Sequence, residues 1–188
     1  MDIMEELIII AGISLDIFAV MECQGSLVAK IEKKYLVLMC IVLVAGQILA
    51  LGIGKMISVF LCHYQTSDYE IFLEEVLAAV IFFGMGIRLL LKAWKNERVI
   101  EHRKERFCVG EFVQLCVRNC IFTLFIGVAL GFLGSSMMSV LIMTAVITVA
   151  VTILGMYTGY RLGFEHKVKA YLGGGILLIA AGILVRYL

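Results

Sequence analysis

Proline is absent from all 188 residues, tryptophan occurs once, and 16% of the chain is charged against 62% hydrophobic. Each scarcity excludes something. Without proline, helix bends must come from glycine or another local interruption, and the chain has 18 glycines. An ordinary soluble domain is about a quarter charged, so a chain this poor in charge needs an apolar solvent. Its mean hydropathy of +1.04 agrees. A net charge of +1 leaves no electrostatic footprint for nucleic acid. The opening residues, MDIMEE, are acidic and lack the positive region of a secretory signal, so the first apolar run is expected to stay as a membrane span. His63, His102 and His166 all fall between apolar runs. There is no His–carboxylate pairing within a run, no phosphate-binding loop and no nucleotide motif, so the chain does not read as an enzyme.

What is present is apolar length. A bilayer core of roughly 30 Å takes about 20 mostly apolar residues per helix, and six runs meet that: about Leu7–Cys23, Leu36–Ile57, Phe72–Trp94, Phe112–Leu133, Ser139–Tyr160 and Ala170–Tyr187. None alternates with period two, which excludes a membrane β-barrel and leaves helices. The expected fold is therefore an all-α integral membrane protein of six transmembrane helices, a single membrane domain over residues 1–188. Lys and Arg concentrate in the odd loops. The first has Lys30, Lys33 and Lys34; the third has Lys95, Arg98, Arg103, Lys104 and Arg106; the fifth has Arg161, Lys167 and Lys169. Outside those loops the termini and even loops offer only Arg186. Positive loops stay in the cytoplasm, so both termini are expected outside the bacterial inner membrane.

The two halves can be laid over each other. SLDIFAV (14–20) matches CIFTLFI (120–126) in apolar character, and FFGMGI (82–87) matches YLGGGI (171–176), with Gly84, Gly86 and Ile87 falling on Gly173, Gly175 and Ile176. Three spans per unit would make residues 1–94 and 107–188 oppositely oriented three-helix repeats. Transporters often use that plan, with the site near the midplane where the halves meet.

SLDIFAVMECQGS, with Asp16, Phe18, Ala19 and Gly25, resembles the bacterial manganese efflux pump family. The resemblance continues at Gln47 and Gly54, and again at Gly86 and Arg88 in GMGIRLLLKAW. It is longest over the glycine pattern Gly155, Gly159, Gly163, Gly173 and Gly174. It covers nearly the whole chain and implies a secondary transporter exporting a divalent cation, Mn²⁺, with membrane lipid and the transported ion as its partners and no cofactor. The departures are specific. The family's second Asp, in the fourth span, falls on Phe122, its acid late in the third span falls on Lys92, and a proline of its second span falls on Leu51. The alternative is thus a member that has lost metal transport and handles another small solute or has an assembly role.

Asp16 is the strongest candidate, because a carboxylate inside a bilayer is costly unless paired, hydrated or protonated and usually marks a pathway. Gln47, Asn119 and Thr123 are neutral oxygen donors of the kind Mn²⁺ accepts, or else interhelical hydrogen-bond partners. Arg118 lies at a depth close to that of Asp16, counted at 1.5 Å per residue. It is expected either to pair with Asp16 or to snorkel. Arg88 and Lys92, four apart beside Trp94, are expected to snorkel to headgroups, as is Lys55 at the other end. Glu22 is expected to meet water or Lys30. Cys116 and Cys120 share a helix face and suit a soft ion, but as isolated buried thiols they read as core packing. With no nucleotide motif, transport must draw on ion gradients or the membrane potential. A negative interior opposes cation export, so exchange for protons or another ion is required.

Overall fold

The computed structural model describes residues 3–28, 33–62, 69–95, 109–134, 136–163 and 166–187. Six α-helices fill them: α1 (Ile3–Leu27), α2 (Lys33–Cys62), α3 (Tyr69–Lys95), α4 (Val109–Phe132), α5 (Met137–Leu162) and α6 (Lys167–Tyr187). Each covers one of the apolar runs, α4 stopping one residue short at Phe132, and all extend past the run at one end or both, since no proline stops the helix where polarity returns. α5 ends at Gly163, whose φ of 72° turns the chain out of the helix while its N–H donates to the Gly159 carbonyl. By length and composition four helices can cross a membrane, over Lys33–Leu61, Val76–Lys95, Phe112–Phe132 and Met138–Leu162, and Val168–Leu184 is a shorter apolar helix. α1 is enclosed by the others, with Ile9, Ile10, Ala19 and Glu22 buried along it.

Polarity is distributed inside out relative to a soluble protein. Val37, Ile41, Leu49, Met56 and Phe60 stand exposed along α2, as do Ile142, Val146 and Leu154 along α5. Asp16, Gln47, Asn119, Thr123, Thr144, Thr148 and Thr152 are buried. Lipid accepts the first set, and only the protein interior can satisfy the second. Several hydroxyls are satisfied by their own helix: Ser14 donates to the Ile10 carbonyl at 2.6 Å and Thr152 to the Thr148 carbonyl at 2.6 Å.

The helices pack almost entirely across the two halves. The closest pairings are α1 with α5, α3 with α6 and α2 with α4, followed by α1 with α6, α2 with α5 and α3 with α4. Among the described residues the helices of one half hardly touch one another. Glycines set the closest approaches. A Cβ at Gly86 would lie 2.9 Å from the Gly175 carbonyl oxygen, and one at Gly175 would lie 3.0 Å from that of Gly86. Such backbone proximity gives dispersion contacts, which drive helix association where lipid removes the hydrophobic difference.

Candidate functional site

Asp16 lies midway along α1 on the face turned toward α3 and α6. It opens into a cavity of about 400 Å³ whose wall also holds Arg88 and Lys92 of α3, Arg118, Asn119 and Phe122 of α4, and Tyr171 of α6. The spacing of Arg88 and Lys92, one helical turn apart, puts both on the same wall. α4 supplies Arg118 and Phe122 by the same spacing, with Asn119 between them. A separate small void of about 10 Å³ lies among Asp16, Asn119, Thr123, Phe122 and apolar neighbours.

The partner of Asp16 is Lys92, whose Nζ lies 2.9 Å from Oδ1. Asp16 is buried, and the Lys92 side chain keeps 29% of its surface accessible. This corrects two expectations. Arg118 lines the same cavity but makes no ion pair with Asp16, whose carboxylate is taken by Lys92 of α3. Lys92 does not snorkel outward alongside Trp94; it turns inward to a carboxylate near enough to hold it. Its ammonium also lies 5.0 Å from the centre of the Tyr171 ring and 5.9 Å from that of Phe122. Arg88 lies over Phe122, its guanidinium carbon 2.9 Å from the ring centre, a cation–π contact. Its Nη1 is buried with no hydrogen-bond partner.

Of the four residues expected to meet a metal, Asp16 and Asn119 share the cavity wall, and Thr123 lines the small void with both of them. Thr123 donates to the Asn119 carbonyl at 3.3 Å. Gln47 does not line the cavity. It is fully buried in α2, and neither its amide nitrogen nor its oxygen has a hydrogen-bond partner. Among the described residues, no three His, Cys, Asp or Glu side chains gather to hold a metal. Cys116 lies beside the cavity in the apolar core and, like Cys40 and Cys120, forms no disulfide.

Glu22 also departs from expectation. It is fully buried, accepts the His166 backbone N–H at 3.0 Å and lies 3.7 Å from Nδ1 of the same residue. It thus ties the end of α1 to the start of α6, while Lys30, its expected partner, lies outside the described residues. The sequence reading missed Lys92 as a site residue because its position beside Trp94 fitted an interfacial lysine. It missed Tyr171 because an aromatic in an apolar run carries no signal of its own.

Comparison with known proteins gives a consistent picture. The model of a family described as "Putative manganese efflux pump" matches residues 30–185. A protein of Mannheimia succiniciproducens named "Putative manganese efflux pump MntP" is 28% identical over 92% of this chain and 89% of its own. One of the same name from Acetivibrio thermocellus is 27% identical over 100% of this chain and 91% of its own. A third, "Putative manganese efflux pump MntP 2" of Clostridium botulinum strain Langeland, is 24% identical over 97% and 93%. No solved structure matches the chain.

Proposed function

This chain belongs to the family described as "Putative manganese efflux pump", and from that premise we propose that it is a secondary transporter of the bacterial inner membrane that exports a divalent cation, Mn²⁺, through the cavity at Asp16. One observation carries the location of the site. Asp16, Lys92 and Phe122, the three positions at which the family resemblance puts intramembrane acids, are far apart in sequence yet line one cavity. In this reading all six helices span, both termini lie outside, and the cavity is reached from the cytoplasm past Arg118 and Lys95. The inverted repeat is supported by reciprocal glycine contacts. Gly86 and Gly175, equivalent in the two halves, approach each other. Gly159 of α5 abuts Glu22 of α1 just as Gly54 of α2 abuts Val128 of α4.

Lys92 is then a tethered counter-ion. It neutralises Asp16 while no cation is bound, so the empty carrier never holds a lone buried carboxylate. An arriving cation displaces the ammonium, whose flexible stem lets it withdraw toward the cavity mouth. When the ion leaves, Lys92 or a proton from outside returns to Asp16. In cells challenged with several metals, the wild-type protein should lower intracellular manganese, and Asp16→Asn should lose that effect at equal membrane abundance. Unchanged manganese with the wild-type protein in place would sink the proposal.

A second reading is favoured by the charge balance. Among the described residues the cavity wall holds one carboxylate against Arg88, Lys92, Lys95 and Arg118. A dication 4 Å from one guanidinium is opposed by about 8 kcal/mol at an effective dielectric of ~20. Asp16, already engaged by Lys92, offsets only part of that. A member of the family whose site has become cationic would carry another small solute.

A further inference from the structure

The unabsorbed feature of this cavity is its positive charge. Arg88, Lys92 and Arg118 enter it from two helices, Lys95 also lines it, and among the described residues the only carboxylate on its wall is Asp16. That carboxylate is taken by Lys92 at 2.9 Å. Arg88 leans on Phe122, but a ring face accepts no conventional hydrogen bond, and Nη1 is buried without a partner. A guanidinium carries five donors in a rigid fork suited to carboxylate and phosphate oxygens. Leaving one of those donors buried and unsatisfied is costly. At about 400 Å³ the cavity has the volume of a small-molecule site. Its wall is a half-made anion cradle with an internal carboxylate occupying one of its cations.

We infer that the cavity binds a small oxyanion, a carboxylate or a phosphate, held by Arg88, Lys92 and Arg118, and that the anion takes Lys92 from Asp16. The inference rests on the second reading above and names the class of its solute. Arg118, exposed at the mouth, meets the anion first. Lys92 then exchanges one carboxylate for another ligand oxygen, and Arg88 gains the acceptor its Nη1 lacks. Asp16 is thus a competitor of the ligand, whereas in a cation site it would be the ligand's principal partner. With the cavity open to the cytoplasm, the potential that opposes cation export favours outward passage of an anion.

The two roles of Asp16 give opposite signs, and binding to the purified full chain reads them. In nanodiscs of phosphatidylcholine, saturating sodium phosphate or sodium malonate should raise Tm by about 2–4 °C over sodium chloride of equal ionic strength. Asp16→Asn should tighten phosphate or malonate by roughly tenfold, the effect of removing a competitor worth about 1.4 kcal/mol. Arg88→Gln should abolish the shift. If Arg88→Gln does not fold, Arg118→Gln, at an exposed position, should weaken the same binding. A rise seen on adding phosphatidylglycerol to the nanodisc, and removed by Arg88→Gln, would assign the site to a lipid headgroup phosphate, the same chemistry from another source. Weaker anion binding in Asp16→Asn would overturn the inference. Stabilisation by manganese chloride that Asp16→Asn abolishes, with no response to any anion, would overturn it in favour of the metal reading. No response to anion, lipid or manganese would overturn it and leave the second reading with an uncharged solute.

Discussion

At the scale of single residues, the proposed site turns on two positions where the family resemblance implies acids. Lys92 and Phe122 stand there, and the two side chains lie with Asp16 on one cavity wall. Lys92 supplies the charge that neutralises Asp16, and Phe122 supplies the surface that Arg88 covers. If the manganese site is intact in every other respect, Lys92→Glu with Phe122→Asp adds two carboxylates to the wall beside Asp16 and removes one cation. Manganese tolerance of cells expressing that double variant should then exceed that of cells expressing the wild type. Equal tolerance at equal membrane abundance would mean that more than these two charges separates the cavity from a metal site. The ion pair itself has a simpler signature. Asp16→Asn strands the Lys92 ammonium in a largely enclosed position, and if that stranding lowers abundance, Asp16→Asn with Lys92→Gln should recover it.

At the scale of elements, length and apolar composition made all six helices legible, because lipid permits few alternatives to a helix. The rotation of each helix was not legible. Arg88 and Lys92 on an apolar α3 read as an interfacial pair, and only the packing of α3 against α6 and α4 turns them inward. Equal depth suggested Arg118 for Asp16, but depth says nothing about which face of α4 meets α1. Asp16 itself was legible because an acid in an apolar run is rare. Glycine, by contrast, reports packing well. A Cβ at Gly159 would collide with the Glu22 carbonyl oxygen and lie 2.9 Å from the Glu22 Cα, whereas one at Gly52 meets nothing within 4 Å. Gly159→Ala should therefore part α1 from α5 at a cost of about 1–3 kcal/mol, and Gly52→Ala should be neutral. Thermal unfolding of the two variants in one detergent measures the difference.

At the scale of the whole molecule, the loop charges predict an orientation with both termini outside. A membrane-impermeant thiol reagent should label a cysteine placed at Ser67 in intact cells, and one at Asn96 only after permeabilisation. The opposite pattern would reverse the orientation and put the cavity mouth outside.

The cross-half packing described above bears on how such a machine could move. Neither the first three helices nor the last three form a block that can pivot, because each helix finds its neighbours in the opposite set. Rocking one half against the other, the usual route to alternating access, would tear open every major seam in the bundle at once. The natural moving parts are instead the two-helix staves, α1 with α5, α2 with α4 and α3 with α6, sliding along one another. A cross-link joining α3 to α6 inside one stave, placed away from the close glycines, should leave transport running, whereas one joining α1 to α3 beside the Asp16–Lys92 pair should arrest it. Residues 1–94 made alone should be degraded, and co-synthesis with residues 107–188 should rescue them, since among the described residues the helices of each set pack mainly on those of the other.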